Sequence, residues 1–241
     1  MAGGRGRWPS GQRACRRDAG LVLAVRRRGV PAALGAVRAP RDRDQPLSPP
    51  TGLLLAAGAG RRMGRPKALV ELHGRPLLVR ALEALRAGGC DPLVVVLGAA
   101  AEEAAALVPD GVRVVVAADW AEGMGASLRA GLAALSGAAT AALVHLVDLP
   151  GIGAPVIARL VEAAAHVPDV LARAAYGGVP GHPVLLGRAH WDAVRAAAVG
   201  DAGARTYLAG HPALRLVECG DLATPDDVDT PEALSRFDDP R

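Results

Sequence analysis

The sequence predicts an α/β fold: a mostly parallel sheet with helices on both faces. Three observations carry that expectation. From Thr51 onward, short apolar runs alternate with stretches of helical period. The first apolar run empties into a glycine-rich loop, as a strand does at the carboxyl edge of a parallel sheet. Apolar residues make up 51 % of the 241 positions and aromatics only 2 %, so a substantial core has to be assembled from Ala, Val and Leu.

The elements follow in order. Leu53–Ala56 reads as a buried strand. Pro76–Ala87 reads as a helix, with Pro76 at its start, Leu78, Leu82 and Leu85 on one face, and Gly88-Gly89 at its end. Leu93–Leu97 is a second strand, Ala101–Leu107 a short helix and Val112–Ala117 a third strand. Gly125–Leu135 is helical, Ala141–Val147 is a fourth strand, and Ala154–His166 is another helix. The remainder is less regular. Val170–Tyr176 and Val184–Leu186 read as strands with a turn, Gly177–Pro183, between them. Ala189–Ala198 is helical, Leu214–Cys219 is a strand, and Pro231–Phe237 opens a last helix.

The formal net charge of +4 is unevenly spread. Residues 1–50 hold eleven arginines against Asp18, Asp42 and Asp44, whereas residues 51–241 hold 17 basic and 21 acidic side chains, a net of −4. The body therefore carries no nucleic-acid footprint. Residues 1–50 are rich in Arg, Pro and Gly with poor periodicity and read as a disordered arm, and residues 51–241 as one domain. Three readings of the arm stand: an over-extended gene start, a basic tail for nucleic acid or membrane, or a targeting peptide. Leu21–Val25 is too short for a secretory signal. Cys15, Cys90 and Cys219 are few, odd in number and widely spaced, which suits a reducing, cytoplasmic setting and excludes a disulfide framework or a zinc pattern. No apolar run is long enough to span a membrane.

The chain has a single lysine. Lys67 closes the segment Leu53-Leu-Leu-Ala-Ala-Gly58-Ala-Gly60-Arg-Arg62-Met-Gly64-Arg-Pro-Lys67. Gly58, Gly60 and Gly64 let the backbone approach a ligand closely, so that successive N–H groups can surround phosphate oxygens. Arg62 offers a two-pronged contact and Lys67 a mobile point charge. This is no Walker loop, because Gly-Lys-Ser/Thr is missing. It is no dinucleotide fingerprint either, because Met63 stands where the third glycine of Gly-x-Gly-x-x-Gly would fall. A plain βα turn with solvated arginines is the structural alternative. Asp148 ends the fourth strand at the same sheet edge, where it can hold a metal ion against a triphosphate or simply cap the next helix.

The stretch Leu55-Ala-Ala-Gly-Ala-Gly-Arg-Arg62-Met-Gly64 with Lys67 resembles the signature of MobA-like nucleotidyltransferases, Leu-Ala-(Ala/Gly)-Gly-x-Ser-x-Arg-Met-Gly-x-x-Lys. Gly60 replaces the family's Ser and removes one hydroxyl donor. Ala57 resembles the molybdenum cofactor cytidylyltransferase branch, where the guanylyltransferase branch reads Ala-Gly-Gly. Further segments resemble the family in the same order along residues 52–236. Gly125 and Ser127 lie in a Gly-Met-x-x-Ser-Leu stretch that contributes to nucleotide binding. His182 lies in Gly-His-Pro and Arg205 in Gly-Asp-x-Gly-x-Arg, both on the acceptor side. Asp229 lies in an Asp-x-Asp-Thr-Pro-Glu segment. An N-cap, a turn histidine, a surface arginine and an acidic helix start are the structural alternatives for these four.

The resemblance implies a three-layer αβα sandwich of the nucleotide-diphospho-sugar transferase type. It implies transfer of CMP from CTP to the phosphate of molybdopterin, with loss of pyrophosphate. Mg²⁺ would sit on Asp148, with Asp229 as a second ligand. Lys67 and Arg62 would balance charge, and Ala56, Ala57, Gly58, Gly60, Met63 and Gly64 would wrap the nucleotide. Related readings are guanylyl transfer, cytidylyl transfer to a sugar or isoprenoid-precursor phosphate, and a non-catalytic cofactor chaperone serving a molybdenum hydroxylase client.

Overall fold

A computed structural model describes residues 48–237 of the chain, apart from Ala165, His166 and Pro168. Residues 1–47, which make up nearly all of the basic arm, lie outside the described residues, as does His166 at the expected end of the fourth helix. Pro50 is buried, and its carbonyl accepts a hydrogen bond from the Asp91 amide (3.1 Å).

Nine strands and seven α-helices are formed by the described residues. The strands are β1 (Thr51–Ala56), β2 (Glu71–Leu72), β3 (Arg75–Pro76), β4 (Leu93–Leu97), β5 (Val112–Val116), β6 (Ala141–Leu146), β7 (Leu171–Tyr176), β8 (Val179–Gly187) and β9 (Arg215–Glu218). The helices are α1 (Leu77–Ala87), α2 (Ala101–Ala105), α3 (Met124–Ala133), α4 (Ala154–Ala164), α5 (Trp191–Ala197), α6 (Arg205–Leu208) and α7 (Pro231–Ser235). Seven strands form one sheet in the order β5-β4-β1-β6-β8-β7-β9, and β2 and β3 form a small separate hairpin. The pairs β5–β4, β4–β1, β1–β6 and β7–β9 are parallel, while β8 runs antiparallel to both of its neighbours.

Alternation along each central strand divides the core into two layers. Leu54 and Ala56 of β1, Val95 and Leu97 of β4 and Leu143 of β6 pack with Leu78, Leu82 and Leu85 of α1 and Ile157 and Leu160 of α4. Leu53 and Leu55, Val94 and Val96, and Val144 pack on the other face with Leu128 and Leu132 of α3 and Trp191 and Val194 of α5. This is the three-layer αβα sandwich, with a mostly parallel sheet as its middle layer.

Most elements fall within a residue or two of their expected bounds. The main departure is Gly177–Pro183. Only Gly177 (φ 59°) and Gly178 (φ 78°) turn, and a two-residue turn with positive φ at both positions matches the twist of a tight hairpin. Val179–Pro183 is already strand. Its two prolines are tolerated because β8 pairs with β6 only from Val184 onward, so residues 179–183 have one neighbour rather than two.

Candidate active site

The loop after β1 and the end of β6 lie side by side, because β1 and β6 are parallel neighbours; the Val147 amide extends their ladder by donating to Leu55 O (3.2 Å). Lys67 begins a single 3₁₀ turn, Lys67–Leu69. Ala68 and Leu69 are buried in the core and anchor that turn. The lysine side chain therefore projects to the sheet edge, where its Nζ donates to Asp148 Oδ2 (2.6 Å). Asp229 is brought in from the far end of the chain. The amide of buried Val228 donates to the Asp148 carbonyl (2.8 Å), and the Asp229 carboxylate then accepts from Lys67 Nζ and from Arg62 (2.5 Å).

The electrostatics follow from this geometry. Burial alone would lower the Lys67 pKa, but the charges and hydrogen bonds of Asp148 and Asp229 outweigh it and hold the ammonium above its ordinary value. The hydrogen bond from Lys67 holds Asp229 below the usual carboxylate range against its own burial, with help from Arg62. Asp227 moves the other way: burial raises it, and the negative charges of Asp229 and Asp148 add to the effect. Two carboxylates thus share one lysine, and a third, Asp227, feels its charge.

Lys67, Asp148, Asp229 and Arg62 border a cleft of about 370 Å³, large enough for a nucleotide-sized ligand. Ala57, Gly58, Gly60, Arg62, Lys67, Ser127, Asp148 and Asp229 all line it. Gly60 has φ 61°, and a Cβ there would lie 1.9 Å from the Arg65 carbonyl oxygen, so the loop path requires glycine. Other residues singled out from the sequence lie elsewhere. Ala56 and Met63 are buried in the α1/α4 core layer and anchor the two ends of the loop. Gly64 is exposed beyond the cleft lining. Gly125 is buried where a Cβ would lie 2.8 Å from the Ala198 backbone, so its small size serves helix packing.

His182 and Arg205 line a second, smaller cavity that shares Leu55, Met124, Leu146 and Asp201 with the first. Three residues not singled out from the sequence line one or both of these cavities. Trp120 borders the larger cleft, packed over Gly98 so closely that a Cβ there would lie 2.5 Å from the indole. Asp201 lines both cavities, and its Oδ1 accepts from the Met124 amide at the start of α3 (3.3 Å). Arg173 lines the smaller cavity. An arginine on the same strand face as Leu171 was the sign of Arg173; a tryptophan in a chain almost without aromatics was that of Trp120.

The oxygens of Asp148 and Asp229 converge on one ammonium, so the donors present suit a hard divalent cation. Among the described residues no group of three or more His, Cys, Asp and Glu forms a closed metal cage. An ion held by two carboxylates would complete its shell with water and phosphate oxygens, as Mg²⁺ does in phosphoryl-transfer sites. No helix of the described residues is long and apolar enough to cross a membrane.

Residues 52–216 match the MobA-like NTP transferase domain. The chain is 42 % identical over 197 residues to a nicotine blue oxidoreductase of Paenarthrobacter nicotinovorans, covering 78 % of this chain and 95 % of that one. It is 31 % identical over 201 residues to a molybdenum cofactor guanylyltransferase of Rhodobacter capsulatus, covering 78 % and 94 %. The crystal structure of Rv0371c from Mycobacterium tuberculosis H37Rv superposes with a TM-score of 0.67 at 30 % identity, covering 79 % and 98 %. The same protein has been solved in complex with manganese, with a TM-score of 0.64, 29 % identity and coverage of 78 % and 96 %. The match spans the loop, the lysine and the first carboxylate that meet in the larger cleft, and the chain belongs to the MobA-like NTP transferase domain family as a nucleotidyltransferase of that type.

Proposed function

We propose that the protein transfers a nucleoside monophosphate from a nucleoside triphosphate to the terminal phosphate of molybdopterin, with CTP as donor. The observation that carries this reading is the convergence of Lys67, Asp148 and Asp229 beside a glycine loop at one sheet edge. An acceptor phosphate oxygen forms a bond to the α-phosphorus, the bond from that phosphorus to the bridging oxygen breaks, and pyrophosphate leaves with both electrons. No covalent enzyme intermediate is needed, so this chain's contribution is positioning and charge balance.

Backbone amides around Gly58 and Gly60 face the phosphates. Arg62, largely exposed, can swing from Asp229 onto the outgoing pyrophosphate. Lys67 exchanges a carboxylate partner for a phosphate oxygen. Asp148 and Asp229 would hold Mg²⁺ or Mn²⁺, which when bound supplies Lewis-acid charge neutralisation at the phosphates. The acceptor rests on the relatives named molybdenum cofactor guanylyltransferase. The base rests on Ala57, which lines the cleft where the guanylyl-specific signature carries glycine; those same relatives make GTP the alternative donor.

The test is pyrophosphate release with CTP, GTP, ATP and UTP, with and without molybdenum-loaded molybdopterin. CTP-dependent release only when acceptor is present supports the reading, and a clear GTP preference overturns its cytidylyl half. The relative named nicotine blue oxidoreductase favours a second reading, in which the cleft holds a nucleotide reductant. Acceptor-dependent oxidation of NADH or NADPH without any pyrophosphate release would establish that reading instead.

A further inference from the structure

The smaller cavity, of about 160 Å³, is lined by two arginines and one carboxylate, Asp201, whose Oδ1 accepts from the Met124 amide, and neither arginine makes an ion pair among the described residues. Arg173 lies on β7 two residues from Leu171, on the face that otherwise packs into the α3/α5 core layer. A charge at such a position is costly unless it is paired. Its only hydrogen bond among the described residues runs from Nε to the Gly181 carbonyl (2.7 Å), which leaves the two terminal nitrogens without a partner. Arg205, at the start of α6, stands exposed at the rim and makes no ion pair among the described residues. The two guanidinium groups feel each other: burial first, then the charge of Arg205, lowers the Arg173 pKa.

His182 lines the same cavity. Its Nδ1 is buried with no hydrogen-bond partner, while Tyr176 Oη fixes the residue by donating to its carbonyl (2.7 Å). Burial and the neighbouring Arg173 keep this ring neutral, with a pKa pushed down to about 4. The cavity therefore offers unpaired cationic donors and an orphaned ring nitrogen within an apolar wall of Leu128, Val184 and Leu208. It adjoins the cleft that holds Lys67 and Asp148.

We propose that Arg173 is a further anion-binding residue of this cavity: it grips a phosphate monoester dianion from the core side, opposite Arg205 at the rim, and sets the affinity for the acceptor. This rests on the transferase reading for its place in the reaction, since the bound group would be the acceptor's terminal phosphate. A two-armed guanidinium matches a phosphate bidentately, and the low local dielectric strengthens the contact.

The test is calorimetric titration of the full chain, without nucleotide or metal, using phenyl phosphate, inorganic phosphate and pyrophosphate as probes. Phenyl phosphate is expected to bind, and Arg173→Gln and Arg205→Gln are each expected to weaken it at least tenfold. Arg173→Lys should recover part of that loss, which a purely structural role through the Gly181 contact would not give. Preference for pyrophosphate over phenyl phosphate, no binding of phenyl phosphate at millimolar concentration, or equal binding by wild type and a folded Arg173→Gln protein would each overturn the proposal. In the steady state the same variant should raise the acceptor KM with little change in the nucleotide KM. The two readings fail separately. Arg173-dependent phenyl phosphate binding in a protein that never releases pyrophosphate would remove the transferase reading and leave the site. Pyrophosphate release with an acceptor KM indifferent to Arg173→Gln would do the reverse.

Discussion

Replacing Lys67 with Met should tighten the binding of a divalent cation while abolishing nucleotidyl transfer. In the wild-type cleft the Lys67 ammonium lies 2.6 Å from Asp148 Oδ2 and also bonds Asp229, so it occupies the point at which the two carboxylates converge. With charge centres about 4 Å apart and an effective dielectric near 20, each attraction amounts to ~4 kcal/mol before screening. The side chains of Lys67, Asp148 and Asp229 are 15, 20 and 21 % exposed, so water screens part of that, and losing the ammonium also relieves its own burial. We take the net competition between lysine and cation as ~1–2 kcal/mol, a roughly 5- to 30-fold fall in the dissociation constant. The assay is titration of the full chain with Mn²⁺ in the absence of nucleotide, read by water proton relaxation, with a circular dichroism melt to show that the variant is folded. Pyrophosphate release should fall to background, because no ammonium remains to meet the triphosphate. A folded Lys67→Met protein that binds Mn²⁺ no more tightly than wild type would refute the reasoning, since the lysine and the ion would then not share one site.

Asp148→Asn should eliminate transfer and leave the melting temperature within a few degrees of wild type, because the backbone bond from Val228 to the Asp148 carbonyl survives the change; wild-type turnover in the purified variant would remove Asp148 from the site. Gly60→Ala should cost about 1–2 kcal/mol for the left-handed backbone alone, more with the collision at the Arg65 carbonyl, and should weaken nucleotide binding more than it lowers the melting temperature; unchanged nucleotide affinity would sink the loop's assigned role. Stability should fall from about pH 6.5 downward. Burial first, then the neighbouring charge, pushes His145 down to about 3 and His182 to about 4, so the unfolded chain takes up protons before the folded one does. Each ring should then remove roughly 1 kcal/mol per pH unit until its own folded value is passed. Urea midpoints between pH 7.5 and 4.5 test this, and a His145→Leu protein with the same slope as wild type would refute it.

How far the sequence discloses this molecule differs from residue to residue. Leu53–Ala56, Leu93–Leu97 and Ala141–Leu146 are legible because a strand buried on both faces is built almost wholly of apolar residues, with buried His145 the one exception in these three. That Lys67 and Asp148 meet at one edge also follows from local pattern, given parallel strands. Asp229 is different. Its spacing from Lys67 says nothing of contact, and it arrives through one backbone bond, Val228 to Asp148, that no periodicity announces. The stretch before Val184 misleads for a physical reason. Gly, Pro and His look like turn residues, but a strand with a single neighbour has no ladder bond for Pro180 or Pro183 to lose on its open side. Gly125, which the sequence suggests for a ligand, has a packing reason that the sequence does not disclose, the approach of Ala198.

The reversed strand explains why the site has two cavities rather than one. Were β8 parallel to β6, its carboxyl end, Leu185–Gly187, would lie at the catalytic edge, and those residues are apolar or glycine. Because β8 runs antiparallel, with Val144 opposite Val184, it is the entrance of the strand that reaches that edge. Beyond that pair the two strands no longer form a ladder, but His182 still lines the cavity at this edge together with Leu146. Arg173, opposite Val184 on β7, is carried to the same end. A single change of strand direction thus sets a cavity lined by Arg173 and Arg205 beside the cleft that holds Asp148, Asp229 and Lys67, with Leu55, Leu146 and Asp201 between them. Separate cationic groups in two adjoining cavities, Arg62 and Lys67 in one and Arg173 and Arg205 in the other, suit a reaction between two phosphates, one made electrophilic and one held as nucleophile, which would repel each other in water. On this account Asp201, exposed and bonded to the α3 amide of Met124, marks the boundary that both substrates must share. Asp201→Ala should then raise the KM of nucleotide and acceptor together, in contrast to Arg173→Gln, which should raise that of the acceptor alone.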